Sequence, residues 1–184
     1  MLDKIKQFVS KSFGKGVNEK GMEHFKRTVY WIKQLKPDAD EPILIVGYAH
    51  DIARAFKDTG ATGTFKNKEF NDLEILRDHQ EGGAKIISEF LRKKGYDKES
   101  IDRIYNMIRY HEEGGNEEAD LIKDADSISY LENNAVKHIK LVGELSKDKI
   151  RNKIDWMYNR ISSKKAKLLA EPYYKEAINS LNTH

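Results

Sequence analysis

The chain of 184 residues contains no cysteine. Disulfides and thiolate-held metals are therefore excluded, and any metal must be bound by imidazole and carboxylate groups. Long hydrophobic runs are lacking too. The longest, residues 43–49, falls far short of the roughly 20 residues that a membrane-spanning helix needs. Met1, Leu2, Asp3 and Lys4 lead into a segment with polar residues at every second or third position, with no apolar stretch of signal-peptide type, and a cytoplasmic location is the expectation. Neither sign of charge dominates: 33 Lys and Arg against 30 Asp and Glu leave a formal net charge of +3. The charges are interspersed, as on solvated helix faces. No segment interleaves aromatic residues with dense Lys and Arg, so nothing supports a nucleic-acid platform. No strand pattern, internal repeat or low-complexity tract is visible.

What is present, 39% hydrophobic residues in a chain of this length, is enough for one core. One all-α domain over residues 1–184 is expected, with the chemistry in about residues 20–135 and helices at about 146–182. Leu2, Ile5, Phe8 and Val9 stand at helical spacing ahead of Gly14 and Gly16. A second helix, from about Glu19 to Leu35, carries Met22, Phe25, Val29, Ile32 and also His24, and Pro37 marks its end. Pro42, behind Asp40 and Glu41, opens a helix apolar on every face, and this buried helix is expected to carry His50, Asp51 and Arg54 in its C-terminal half. Residues 57–68, with Gly60, Gly63 and three threonines, read as a mobile loop whose Lys57, Lys66 and Lys68 face solvent.

Asp78 and Glu81 stand in capping-box register, which puts His79 in the first turn of a helix running to Gly95. The next helix starts at Asp97. Its stripe of Ile101, Ile104 and Ile108 continues into His111, just before Gly114-Gly115. Glu117 and Glu118 favour the first turn of a helix bearing Leu121, Ile122, Asp124, Asp126, Ile128 and Leu131. Two further helices follow, at about residues 147–161 and 164–181. The run Lys164-Lys165-Ala166-Lys167 reads as an exposed face, and His138 and His184 have no motif partner.

One buried histidine is more often a hydrogen-bonded core residue than a ligand, and one His-Asp dipeptide means little. The joint order has force: His24, then His50-Asp51, then His79, His111 and the Asp124-Ala125-Asp126 segment, all on predicted helices. Helical spacing leaves both Asp124 and Asp126 open as the distal carboxylate.

That order resembles the HD superfamily of metal-dependent phosphohydrolases over roughly residues 20–135. The segments YAHDIAR, DHQEGGAKIISEFL, IRYHEEGG and IKDADSISYLE are similar to successive blocks of small stand-alone HD hydrolases. The resemblance implies a helical HD-domain fold with His24, His50, Asp51 and Asp126 on one divalent ion. It also implies a second ion on His79 and His111 with Asp51 bridging, or contacts from these blocks to phosphate in one-metal members. It prefers Asp126 to Asp124, and it gives Arg54, one turn beyond His50, the place of a phosphate-binding base. Tyr130, one turn beyond Asp126, is a candidate substrate contact or plain core.

Imidazole with carboxylate suits Mn, Fe, Co, Ni or Zn better than Mg. One or two such ions would activate water against a phosphomonoester or nucleotide phosphate, with Asp51 and Arg54 as the catalytic groups. The expected partner is therefore a small phosphorylated molecule, a nucleotide first, with a homo-oligomer left open. Two alternatives share the ligand set: a di-iron oxygenase of HD fold, and a nucleotide-binding regulatory module without turnover. The block around Tyr110-His111 lacks the paired histidines and Gly-Tyr-Pro of cyclic-dinucleotide phosphodiesterases, which argues against that substrate.

Overall fold

Helix α3 (Glu41–Ala49) is the element around which four other helices pack. Asp40 accepts a hydrogen bond from the Ile43 N–H, and Pro42 occupies the first turn, where its missing donor costs nothing. Ile43, Ile45, Val46 and Ala49 are buried, while Leu44 and Tyr48 on the remaining side are half-buried, so the helix is not enclosed on every face. α1 (Leu2–Phe13), α2 (Glu19–Leu35), α5 (Lys98–Arg109) and α6 (Glu117–Ser129) pack against it. The computed structural model describes residues 1–14, 19–56 and 68–183 and contains no β-strand among them. No helix of the described residues is long and apolar enough to cross a membrane. The loop expected over residues 57–68 lies outside the described residues except for Lys68, whose Nζ is 3.4 Å from Asp72 Oδ2.

α4 (Leu73–Lys93) packs along α5, and a π-helical turn (Tyr130–Asn134) joins α6 to the short α7 (Ala135–Ile139). α8 (Lys147–Asn159) and α9 (Lys164–Thr183) pair with each other and close over α6 and α7. One apolar cluster runs from Ile5 and Val9 through Ile104 and Ile122 to Ala177 and Leu181. Arg27 binds Glu132 through two nitrogens, and the Trp31 indole N–H donates to the same carboxylate at 2.9 Å. This forked pair locks α2 against the π turn and so sets the register of His24 against Asp126.

Three boundaries differ from the sequence expectation. α3 ends at Ala49. His50 caps it, and Asp51 (φ −95°, ψ 13°) leads into a 3-10 turn (Ile52–Ala55), so Asp51 and Arg54 are not on a continuous helix. α4 begins at Leu73, because the Asp72 carboxylate accepts the Glu74 and Ile75 N–H groups. His79 therefore sits in the second turn of α4 and the expected capping box at Asp78 is helix interior. α5 ends at Arg109, so His111 follows the helix rather than continuing its stripe. α7 was not anticipated.

Two glycines permit the close packing behind the histidines. A Cβ at Gly47 would stand 2.7 Å from Ile32 Cδ1 and 2.8 Å from Val29 Cγ2, where α2 crosses α3. A Cβ at Gly83, one turn after His79, would stand 3.2 Å from the His50 carbonyl oxygen and 3.4 Å from Ile108 Cγ2. Gly83→Val should therefore lower the unfolding free energy by about 1–3 kcal/mol through overpacking. Urea unfolding checks this; an unchanged midpoint would show that α4 can retreat from His50 at no cost.

Candidate metal centre

Five elements bring seven ionisable residues to one place. His24 comes from α2, His50 and Asp51 from the end of α3, His79 from α4, His111 and Glu112 from the turn after α5, and Asp126 from α6. His50 and His111 are completely buried, and His24, His79, Glu112 and Asp126 nearly so. The rings stand edge to face in a row, with centroids 5.5 Å apart for His24–His50, 5.2 Å for His50–His111 and 5.7 Å for His79–His111. His24 Nε2 is 2.9 Å and His50 Nε2 3.4 Å from Asp126 Oδ1. His79 Nε2 is 2.7 Å and His111 Nε2 3.9 Å from Asp51 Oδ1.

The hydrogen bonds behind the rings fix which nitrogens face inward. His111 Nδ1 is 2.7 Å from the Ile108 carbonyl oxygen. A carbonyl only accepts, so Nδ1 carries the hydrogen and Nε2 presents a lone pair to the interior. Ser129 Oγ gives its single hydrogen to the His24 carbonyl and stands 2.9 Å from His24 Nδ1. His24 therefore donates from Nδ1 and faces Asp126 with Nε2.

A metal fits this arrangement. His111 Nε2 and both ring nitrogens of His50 are buried without a hydrogen-bond partner among the described residues, which a folded protein rarely tolerates. The 3.4 Å contact from His50 to Asp126 is close enough for an ion pair, but its geometry makes no hydrogen bond. Two donor sets have all their ligand atoms within 4.8 Å of one another: His24, His50 and Asp51, and Asp51, His79, His111 and Glu112. Asp51 belongs to both. Asp126 stands in neither set, although its Oδ1 touches His24 and lies near His50. These buried His, Asp and Glu groups can hold a metal ion, and neutral imidazole with carboxylate is a donor set suited to transition metals.

Charge balance accounts for the titration behaviour. Burial alone would raise Asp51, but the Arg54 charge and the His79 and His50 rings hold it well below the usual carboxylate range. Burial would likewise raise Asp126, which His24, His50 and Arg160 pull well below that range. His50 is opposed by burial yet rises to about 8 through Asp126, Asp51 and Glu112. His111 is depressed by burial to about 4, which keeps its ring neutral.

Several participants were not anticipated. Arg160, just beyond α8, ion-pairs with both Glu112 and Asp126 and donates to Ser127 Oγ at 2.8 Å. Glu112, lodged against Arg160, is held at about 2 although burial opposes this. Its position beside His111 was the one available signal; Arg160 and Lys153 of α8 carried none. Asp124 accepts the backbone N–H groups of Ser162 and Ser163 at 2.7 and 2.9 Å and so anchors the start of α9. Arg54 Nε donates to Asp51 Oδ2 at 2.7 Å. Tyr130 is buried, and its hydroxyl meets His138 Nδ1 at 2.7 Å rather than the carboxylates.

A family model described as a domain of unknown function, DUF4202, matches residues 7–181. The chain belongs to the DUF4202 family. The match takes in every histidine and carboxylate of the centre, together with Arg160, so the whole constellation lies inside the DUF4202 domain. No curated protein and no solved structure matches the chain.

Glu112 and Asp126 have folded pKa values below their unfolded ones. They stabilise the fold above the ordinary carboxylate range, and that stability is lost as pH falls through their folded values. Arg160→Met, which leaves both carboxylates buried without their cation, should cost about 3–5 kcal/mol in chelator-treated protein at neutral pH. The deficit should shrink as pH falls toward 2 and the carboxylates take up protons. Urea unfolding at several pH values reads this, and a deficit independent of pH would contradict it.

Proposed function

We propose that this chain is a metal-dependent phosphohydrolase of HD type that hydrolyses a small phosphorylated molecule, a nucleotide phosphate or other phosphomonoester. The observation that carries the reading is Asp51, one partly buried carboxylate shared by two overlapping sets of metal-competent donors. His24, His50, Asp51 and Asp126 would hold one ion, and Asp51, His79 and His111 a second. Mn, Fe, Co, Ni or Zn suits that donor set, with Mg a weaker fit. A bound divalent ion supplies there a water acidified toward neutrality and positive charge opposite the phosphoryl oxygens.

The protein's own residues do the rest. His111 donates from Nδ1 to the Ile108 carbonyl, which fixes its ring and directs Nε2 inward. The Ser129 hydroxyl between the His24 carbonyl and Nδ1 does the same for His24. Arg54, bound to Asp51 Oδ2, orients that carboxylate and brings a guanidinium to the edge of the centre, the group best shaped to meet phosphoryl oxygens. Arg160 spans Glu112 and Asp126 and keeps both ionised. No cysteine, and hence no thiolate nucleophile, is present, and the reading needs no protein nucleophile.

Protein purified without chelator should contain a divalent transition metal by elemental analysis, and Asp51→Ala should lose it. Phosphate release across a panel of nucleotides and phosphomonoesters, with Mn, Co, Ni, Fe and Mg supplied in turn, should fall at least ~100-fold in Asp51→Ala. That exceeds what losing even a residue behind a ligand commonly costs. Equal metal content in the two proteins would sink the reading. Oxygen uptake by iron-loaded protein without phosphate release would move it to the oxygenase class, and nucleotide binding without turnover to a regulatory module.

A further inference from the structure

We propose that Lys153 is the recognition residue for a phosphoryl group of the substrate, in a subsite walled by Phe70, Tyr130 and Trp156 beside the His/Asp centre. The proposal rests on the phosphohydrolase reading and names the residue that selects its anion. Lys153 sits on α8 and is only 9% exposed. Lysines are almost never so buried unless paired. Yet Lys153 makes no hydrogen bond and has no carboxylate oxygen within 4.0 Å among the described residues. Its ammonium is met by aromatic faces, with Nζ 4.3 Å from the Trp156 ring centroid, 5.5 Å from Tyr130 and 5.7 Å from Phe70. Aromatic faces attract a cation but do not neutralise it.

The position of this ammonium relates it to the centre. Trp156 carries Lys153 on its ring at 4.3 Å and the Arg160 guanidinium at 4.6 Å, and Arg160 ion-pairs with Asp126 and Glu112. Tyr130 is hydrogen-bonded to His138, over whose ring Phe70 stacks at 5.5 Å. Lys153, Phe70 and Trp156 line a cavity of about 410 Å³ together with Asn71, Asn152, Glu69 and Asp155. Of its acidic residues, Glu69 is exposed at the rim, and Asp155 accepts the Tyr174 hydroxyl at 2.8 Å.

The charge pattern favours an anionic group. Arg54, although bonded to Asp51, adds positive potential at both Lys153 and His138. Burial, with Arg160 and Arg54 nearby, pulls Lys153 down to about 7 against the pull of Glu112 and Asp126. An arriving anion would restore the full charge of the ammonium.

The test is calorimetric titration of the chelator-treated full chain with inorganic phosphate at mildly acidic pH, repeated on Lys153→Met and Lys153→Arg. Wild type should bind phosphate, Lys153→Met should bind at least ~10-fold more weakly, and Lys153→Arg should retain binding within about threefold. Methionine occupies the lysine stem among the same rings, and a melting temperature no lower than wild type certifies that the variant is folded. Equal phosphate binding by folded Lys153→Met, or none by wild type, would overturn the proposal. Failure of the phosphohydrolase reading would appear instead in metal content and phosphate release, neither of which enters a metal-free titration.

Discussion

Burying carboxylates in a helical core requires cations around them, and the arrangement of this molecule follows from that requirement. Asp51, Glu112 and Asp126 lie among four imidazoles, and among the described residues two guanidiniums, Arg54 and Arg160, reach them by direct ion pairs. Each guanidinium takes the outer oxygen of a carboxylate, Oδ2 of Asp51 and Oδ2 of Asp126. The inner oxygens, both Oδ1, are turned toward histidine Nε2 atoms. Such a cluster is costly as an ornament of the core, because desolvated charges repay their burial only when fully satisfied. Here satisfaction is incomplete on the inner side: both ring nitrogens of His50 and Nε2 of His111 have no hydrogen-bond partner among the described residues. An ion between those inner atoms is the simplest way to complete the balance.

Rigid helices hold this cluster, and their ends deliver it. His50 and His111 both stand just past a helix terminus, where the backbone turns and a ring can point across the bundle rather than along a stripe. Gly83 and Gly47 allow α4 and α2 to close on the same end of α3. The Arg27–Glu132 fork and the Ser129 hydroxyl then fix α2 and α6 in mutual register, so that His24 and Asp126 meet at 2.9 Å. A π-helical turn directly after Ser129 places Tyr130 and His138 on the side facing Phe70 and Lys153. The metal-competent side and the cationic, aromatic side thus meet along α6 and its continuation.

Much of this was legible in the residues. The all-α class followed from helical periodicity, and α2, α5, α8 and α9 lie close to where spacing and caps put them. His24, His50, Asp51, His79 and His111 stood out by type and order, the resemblance to the HD superfamily chose Asp126 over Asp124, and the structure brings the six together. Chain breaks within or near motifs were less legible. The turn at Asp51 and the early start of α4 depend on Asp72 capping and on the close approach at Gly83, neither of which has a periodic signature. Least legible were groups supplied by distant packing. Arg160 and Lys153 read as ordinary charges of an amphipathic helix until α8 folds over α6, and Asp124 differs from Asp126 only through its contact with the start of α9.

The central claim is that Asp51 is shared between two metal positions, and anomalous diffraction from crystals soaked in manganese tests it most directly. The account predicts anomalous density among His24, His50 and Asp51, and a second peak among Asp51, His79 and His111, with Asp51 at both. Density confined to surface carboxylates, with none at His50 or His111, would contradict it.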